Sequence, residues 1–515
     1  MKSRETTIAR ALLSTAKRDA GRMAMADSGG AEVSFGGAIA KAVFLAGRLE
    51  PVWRGQERVG ILVPPSVGGG LVNWAAMLMG KIPVNLNYTL SPEGMVSCIE
   101  QCGLTDVVVS EKLMKKLKLD LPVRVHALEE LAKEPRFFEK VRAGMMAKFC
   151  SAEGLLERLG GGAVGEDDLA TIIFSSGSTG DPKGVMLTQR NVMSNLVRLD
   201  EVYGFSGSDR FLGVLPFFHS FGFIATIAGP AAVGFGAVYH HNPMESTVIG
   251  PLIEAHGVTF MVATPTFLQF YLRSCDAEQL ASLRQVLASA EKLPERLAEA
   301  FEKKFKQRPL EVYGSTECLA VTVNSKGSER RGSIGRALPG VELKVVDADT
   351  QKEVEAGTEG LLKVRSESVM RGYLGNDELT AEVKREGWYD TGDIVRIDAD
   401  GFVWIAGRLS RFSKIAGEMV PHGKLEEVLH EMAGITEQVF AVAGVPDEKK
   451  GERLVVLHTA GEAVLDGVLE KLAGAEIPNL WKPKRGQFVV VEALPYLGTG
   501  KLDLKGLQKM AAELG

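Results

Sequence analysis

The chain has 515 residues, 45% of them hydrophobic and 24% charged, with a formal net charge of -5. That length exceeds one ordinary domain and predicts two or more packed units with a full core, while the mild acidity excludes a general nucleic-acid binder. Five scattered cysteines (Cys98, Cys102, Cys150, Cys275, Cys318) with no C-x-x-C pair argue against a disulfide framework and for a reducing, cytoplasmic setting.

In chain order, the first twenty residues carry charges throughout and lack an apolar core, so no secretory signal is expected. Short β-type runs at 59–63 and 105–109 open an alternation with helix-length segments. Residues 111–118 (E-K-L-M-K-K-L-K) are basic and amphipathic, and Lys148-Phe149 lies downstream in a similar setting. A solvated helix face is the plain reading. Docking of an acidic partner, or peripheral contact with the inner membrane face, is the sharper one.

An apolar run at 171–174 stops at Ser175 and is followed by Ser176-Gly177-Ser178-Thr179-Gly180-Asp181-Pro182-Lys183-Gly184 before a second β-type run at 185–188. Glycines let backbone amides approach polyphosphate oxygens, hydroxyls donate without bulk, and a lysine neutralises charge. A Walker A loop needs glycine directly before the lysine, and Pro182 stands there, so a P-loop kinase or GTPase is not expected. The stretch 211–244 contains no Asp, Glu, Lys or Arg, long enough to span a bilayer. Pro216, Pro230, Pro243 and three histidines inside it instead predict a buried strand, turn and helix.

Further β-type runs at 258–263, 285–288 and 310–313, with amphipathic segments such as Glu295–Phe305 between them, predict α/β layers with largely parallel sheets. Beyond Gly340 the texture turns β-rich (341–346, 360–364, 394–397, 402–405). After Gly407 it becomes a compact α+β unit, with helices at 424–432 and 464–472 and strands at 438–443 and 453–459. The join Gly407-Arg408-Leu409-Ser410-Arg411 is short and polar, as a hinge would be.

Seven motifs in order carry a resemblance to the adenylate-forming superfamily: acyl-CoA and acyl-acyl carrier protein synthetases, peptide-synthetase adenylation domains and firefly luciferase. They are the Ser175–Gly184 loop, Pro216-Phe217-Phe218-His219-Ser220-Phe221-Gly222, Ala288-Ser289-Ala290-Glu291-Lys292-Leu293, Val312-Tyr313-Gly314-Ser315-Thr316-Glu317, Tyr389-Asp390-Thr391-Gly392-Asp393, Lys414-Ile415-Ala416-Gly417-Glu418 and Leu494-Pro495-Tyr496-Leu497-Gly498-Thr499-Gly500-Lys501. The resemblance implies an α/β fold. Its large N-terminal domain (1–407) has layered sheets with helices and a β-rich subdomain at about 340–407, and its small, mobile α+β C-terminal domain spans 408–515.

The resemblance also implies roles. Ser175, Ser176, Gly177, Ser178, Thr179, Gly180 and Lys183 would wrap the phosphates. Ser289, Ala290, Glu291, Tyr313, Gly314 and Ser315 would lie along the adenine and its α-phosphate, with Thr316 binding that phosphate. Ser175 and Glu317 would hold Mg²⁺, and Asp393 with Arg408 would approach the ribose. His219 would border the carboxylate pocket, and Lys501 would offset charge at the α-phosphorus. Lys414, Gly417 and Glu418 would serve the thioester step, with Arg411 at the hinge. The substrates implied are ATP with Mg²⁺ and a plain carboxylic acid, since the aspartate that holds an amino acid's ammonium is missing. Residues 83–89 and 411–420 look most like bacterial acyl-acyl carrier protein synthetases, the ligase part of 2-acylglycerophosphoethanolamine acyltransferase fusions. No histidine here is followed five residues on by aspartate, so the acyltransferase is not expected. The leading expectation is therefore a long-chain fatty acid joined to acyl carrier protein. A CoA ligase of the same fold stays open, and so does a non-catalytic nucleotide-binding regulator, against which Glu317, Asp393 and Lys501 count. Gln189 departs from the histidine of many relatives.

Overall fold

The computed structural model describes residues 7–133, 136–176, 181–415, 418–435, 437–447, 451–496 and 502–515. The chain divides into two compact units: Met1–Ser175, Pro182–Leu343 and Val364–Tyr389 form the first, and Ser176–Asp181, Lys344–Lys363 and Asp390–Gly515 the second.

Up to Ala337 the strands run in chain order as β1 (Met23–Asp27), β2 (Glu32–Ser34), β3 (Arg58–Leu62), β4 (Ile82–Asn85), β5 (Asp106–Val109), β6 (Arg124–Ala127), β7 (Leu169–Ser176), β8 (Pro182–Thr188), β9 (Arg210–Gly213), β10 (Gly236–Tyr239), β11 (Phe260–Ala263), β12 (Gln285–Ala288), β13 (Leu310–Ser315), β14 (Leu319–Val323) and β15 (Arg336–Ala337). The principal sheet has the order β15-β14-β13-β12-β11-β9-β10-β1-β2, parallel from β1 through β13 and antiparallel at both edges. A second, parallel sheet has the order β4-β3-β5-β6. Every residue of β10, β11 and β12 is buried, so these strands read as continuous apolar runs because helices cover both faces.

Helix ends follow capping chemistry. The helix Gln189–Tyr203 starts at Thr188, whose hydroxyl accepts from Asn191 N at 3.1 Å while the Asn191 amide oxygen accepts from Thr188 N at 2.8 Å. It ends on Gly204 in the left-handed region. Buried Gln189 accepts at 3.0 Å from the N–H of Ile8, the first residue of the helix Ile8–Arg18. That side chain satisfies one of the donors that a helix start leaves without a partner.

The uncharged stretch 211–244 folds as β9, the short helices Ser220–Phe223 and Gly229–Val233 joined by a π-turn, and β10. Among the described residues, no helix is long and apolar enough to cross a membrane.

In the chain after Gly340, Glu342–Val346, Gly360–Arg365 and Trp388–Ile397 lie in one sheet, with Val403–Arg408 antiparallel to the last. The C-terminal part of the second unit centres on the antiparallel pair Phe440–Asp447 and Gly451–His458. Phe440 and Val442 pack with Leu425, Leu429 and Val468 on one face, and Ala441 and Ala443 with Leu507 and Ala511 on the other. Strand alternation thus feeds two apolar layers, each covered by helix.

Candidate active site

Parallel α/β sheets bind ligands beyond the carboxyl ends of their strands, where loops diverge. Three predicted motifs of the first unit sit there. His219 follows β9, Ser289 to Glu291 follow β12, and Tyr313 to Glu317 run from β13 into its turn.

Two glycines make these turns possible. A Cβ at Gly222 would lie 2.1 Å from Pro216 O, and one at Gly314 would lie 1.9 Å from Leu319 O. Only a missing side chain allows the backbone to approach so closely. His219 is the residue before the helix Ser220–Phe223; its ring lies 5.2 Å from Phe218, which meets Tyr88 edge-on at 4.8 Å. Ser289 is buried and donates its N–H to Ala263 O. The residue in the left-handed region is the next one, Ala290, at φ 70°. Glu291 accepts from the Thr266 hydroxyl at 2.8 Å.

In the β13–β14 turn the Ser315 hydroxyl accepts from Glu317 N at 3.2 Å, and Thr316 is half-buried beside it. The Glu317 carboxylate accepts from the Tyr373 hydroxyl at 3.1 Å, and its backbone carbonyl from Met370 N at 2.7 Å. Lys183 Nζ lies 5.6 Å from the Tyr373 ring centroid. Tyr373 therefore stands between the predicted phosphate lysine and the predicted metal carboxylate. Buried Tyr389 is held in its neutral phenol form, first by burial and then by Glu317, Cys318, Tyr373 and Tyr313. Neither Tyr373 nor the placing of Tyr389 beside Glu317 was expected; Tyr373 lies 56 residues from Glu317, and no local signal marks it.

An apolar pocket of about 50 Å³ adjoins these turns. Ser220, Phe221, Leu319 and Ala320 line it beside the motif residues, while Phe211 and Phe235 line it at the opposite, amino ends of β9 and β10. Its polar walls are turned away from the space. The Asn195 amide donates to Ala320 O at 2.8 Å, and the Tyr203 hydroxyl donates to Asn324 O at 3.1 Å.

The second unit holds most of the remaining described candidates. Asp393 and Arg408 face each other across adjacent strands, Arg408 Nε donating to the Asp393 carboxylate at 2.9 Å. Arg411, expected at the short polar hinge, donates to Glu426 at 2.6 Å, and the two side chains are only 14% and 10% exposed. That stretch is polar because it supplies a buried ion pair. Lys414 is exposed and pairs with Asp349 at 3.0 Å, and its N–H donates to Glu452. Glu418 is exposed at the start of the partner strand. Ser175, in the first unit, is half-buried one residue before the end of β7, and Ser176 is its last residue. Gly177, Ser178, Thr179, Gly180, Gly417 and Lys501 lie outside the described residues.

Among the described residues no cluster of three acidic, histidine or cysteine side chains could hold a metal by itself. The single carboxylate of Glu317 fits Mg²⁺, which keeps phosphate and water oxygens and needs only one or two protein ligands.

The AMP-binding enzyme family matches residues 12–374, and the AMP-binding enzyme C-terminal domain matches residues 424–501. The 4-coumarate–CoA ligase-like 4 of Oryza sativa subsp. japonica is 29% identical over 88% of this chain and 82% of its own length. The indoleacetate–CoA ligase of Aromatoleum aromaticum is 31% identical over 70% of this chain and 72% of its own. Among solved structures, O-succinylbenzoate coenzyme A synthetase from Bacillus subtilis, in complex with ATP and magnesium ion, superimposes with a TM-score of 0.79 at 23% identity. It covers 96% of this chain and 98% of that one, so the fold likeness runs nearly end to end. These relatives are CoA ligases of varied acids, and the carrier-protein subtype finds no support among them.

Proposed function

The chain belongs to the AMP-binding enzyme family and is an AMP-forming acid–thiol ligase, and we propose that its acid is a long-chain fatty acid and its thiol that of CoA. The apolar pocket beside His219 and the Glu317 turn carries the first half of this reading. It offers an alkyl chain a dry wall and an amino or dicarboxylic acid no partner. The CoA ligases among the relatives support the second half.

In the reaction proposed, a carboxylate oxygen attacks the α-phosphorus of ATP, the bond to the bridging oxygen breaks, and pyrophosphate leaves. The thiol sulfur then attacks the acyl carbon, AMP leaves, and the thiol proton passes to solvent. Lys183 and the Ser175–Gly180 loop would neutralise and cradle the phosphates, and Thr316 would donate to the α-phosphate. Tyr313 would cover the adenine, with Ser289 to Glu291 beside it, and Asp393 would accept from the ribose hydroxyls while Arg408 orients it. Glu317, held by Tyr373, would carry Mg²⁺, which supplies charge neutralisation at the phosphates. Lys501 would offset charge developing at phosphorus. Lys414 and Glu418 would serve the thioester half. Five cysteines without disulfides support a reducing, cytoplasmic compartment.

A carrier-protein acceptor would need a basic patch around Trp481. Lys482 and Lys484 are there, but Arg485 is already paired with Asp466. The deciding experiment is pyrophosphate release across a fatty-acid series, followed by kcat/KM with CoA and with acyl carrier protein. A flat chain-length profile overturns the acid, and a clear preference for carrier protein overturns the thiol.

A further inference from the structure

The helix Phe137–Phe149 carries a face that nothing in the proposed reaction uses. Its residues fall into four rows of i, i+4 spacing, each row occupying one strip of the helix surface. Glu139, Ala143 and Ala147 form the inward row. Arg48, on the helix Phe35–Leu49, donates twice to Glu139 at 2.8 Å, and Ala143 is buried. Directed away from that contact is the row Phe137, Val141, Met145 and Phe149, all exposed, with Phe137 at 74% and Phe149 at 73%. Phe138, at 82%, widens it at the amino end.

Basic residues flank this stripe on both sides, Arg142 on one and Lys140 and Lys148 on the other, with Gly144 leaving a shallow groove between the two lysines. None of the three makes an ion pair among the described residues. The acidic side chain of the helix, Glu139, is committed to Arg48. An apolar ridge this exposed marks an interaction surface.

We propose that this helix lies flat on an anionic phospholipid surface, its phenylalanines entering the acyl boundary and its basic residues reaching the headgroups. Phenylalanine with flanking lysine and arginine on one face is the chemistry of an interfacial helix, whose binding combines apolar burial with attraction to anionic lipid. Lysine stems lie along the apolar boundary while their charges stay in the headgroup layer. A second copy of this chain is a poorer occupant, because a two-fold contact sets the same cations against each other. The inference stands independently of the acid and thiol proposed above.

Full-length protein should cosediment with phosphatidylcholine vesicles containing phosphatidylglycerol, more weakly with pure phosphatidylcholine vesicles, and less as salt rises. The pair Phe138→Asp and Phe149→Asp alters exposed side chains only. It should weaken vesicle binding at least about tenfold, since each phenylalanine is worth more than that when buried. Pyrophosphate release on a soluble short-chain acid should stay unchanged. Lys140→Glu with Lys148→Glu should abolish the preference for phosphatidylglycerol. Wild-type protein that ignores both vesicles overturns the proposal, as does an aspartate variant that binds like wild type. So would an aspartate variant whose only change, in sedimentation equilibrium or carrier-protein binding, is loss of a dimer or of a protein partner.

Discussion

Glu317 owes its orientation to Tyr373, which donates to its carboxylate at 3.1 Å. Replacing the charge while keeping the shape separates metal binding from packing. Glu317→Gln should lower pyrophosphate release by about 10²-fold and raise the Mg²⁺ concentration needed for half-maximal rate, whereas Tyr373→Phe should lose less, because the carboxylate survives. Equal Mg²⁺ dependence in wild type and Glu317→Gln would remove Glu317 from the metal site. His422 poses a stability question instead. Burial, and after it the Arg411 charge, push its pKa down to about 3 from an ordinary 6.5, and its ring nitrogen faces the Ser413 hydroxyl at 2.8 Å. Between those two values the unfolded chain binds the proton and the folded chain refuses it. Stability is therefore complete above pH 6.5 and falls as the pH drops toward 3. Urea midpoints taken between pH 7 and pH 5, above the range of most carboxylates, should fall with acidity in wild type and fall less in His422→Gln; the same slope in both would contradict this assignment. Gln189, whose departure from histidine the sequence displayed without a reason, has a structural one. Its side chain caps the helix Ile8–Arg18.

The strands were legible element by element where a parallel sheet buries both faces, as in β11 and β12, because such strands are unbroken apolar runs. The segment 220–234 was not legible in detail. It breaks into two short helices and a π-turn, and Gly222 is demanded by a carbonyl met only in the folded turn. That broken segment is also what opens the pocket, since Phe221, Ile224 and Ala225 line it together with Leu196 and Leu199 of the helix Gln189–Tyr203. A bulkier side chain on this wall should shorten the space available to an alkyl chain. For wild type, each methylene buried should add about 0.8 kcal/mol until the pocket is filled. Ala225→Leu should move the peak of kcat/KM to shorter fatty acids while leaving the shortest acids nearly unaffected. An unchanged profile would place the alkyl chain elsewhere.

For the whole molecule, the proposed two half-reactions make unequal demands on Lys501. Lys501→Ala should reduce pyrophosphate release by about 10²- to 10³-fold while conversion of supplied acyl-AMP to thioester is largely spared, and equal losses in both would refute the assignment. The sequence by itself determined the α/β class and the family. Handling a polyphosphate needs particular residue types at close spacing, and those survive as contiguous words such as S-S-G-S-T-G-D-P-K-G and Y-G-S-T-E. Tertiary structure alone decided which distant residues meet. It set Tyr373 on Glu317 and buried Arg411 against Glu426. It also turned the polar walls of the pocket outward and left one row of the helix Phe137–Phe149 uncovered. Such pairings depend on how whole layers pack, and a local pattern of polarity does not encode which distant residue a given side chain will meet.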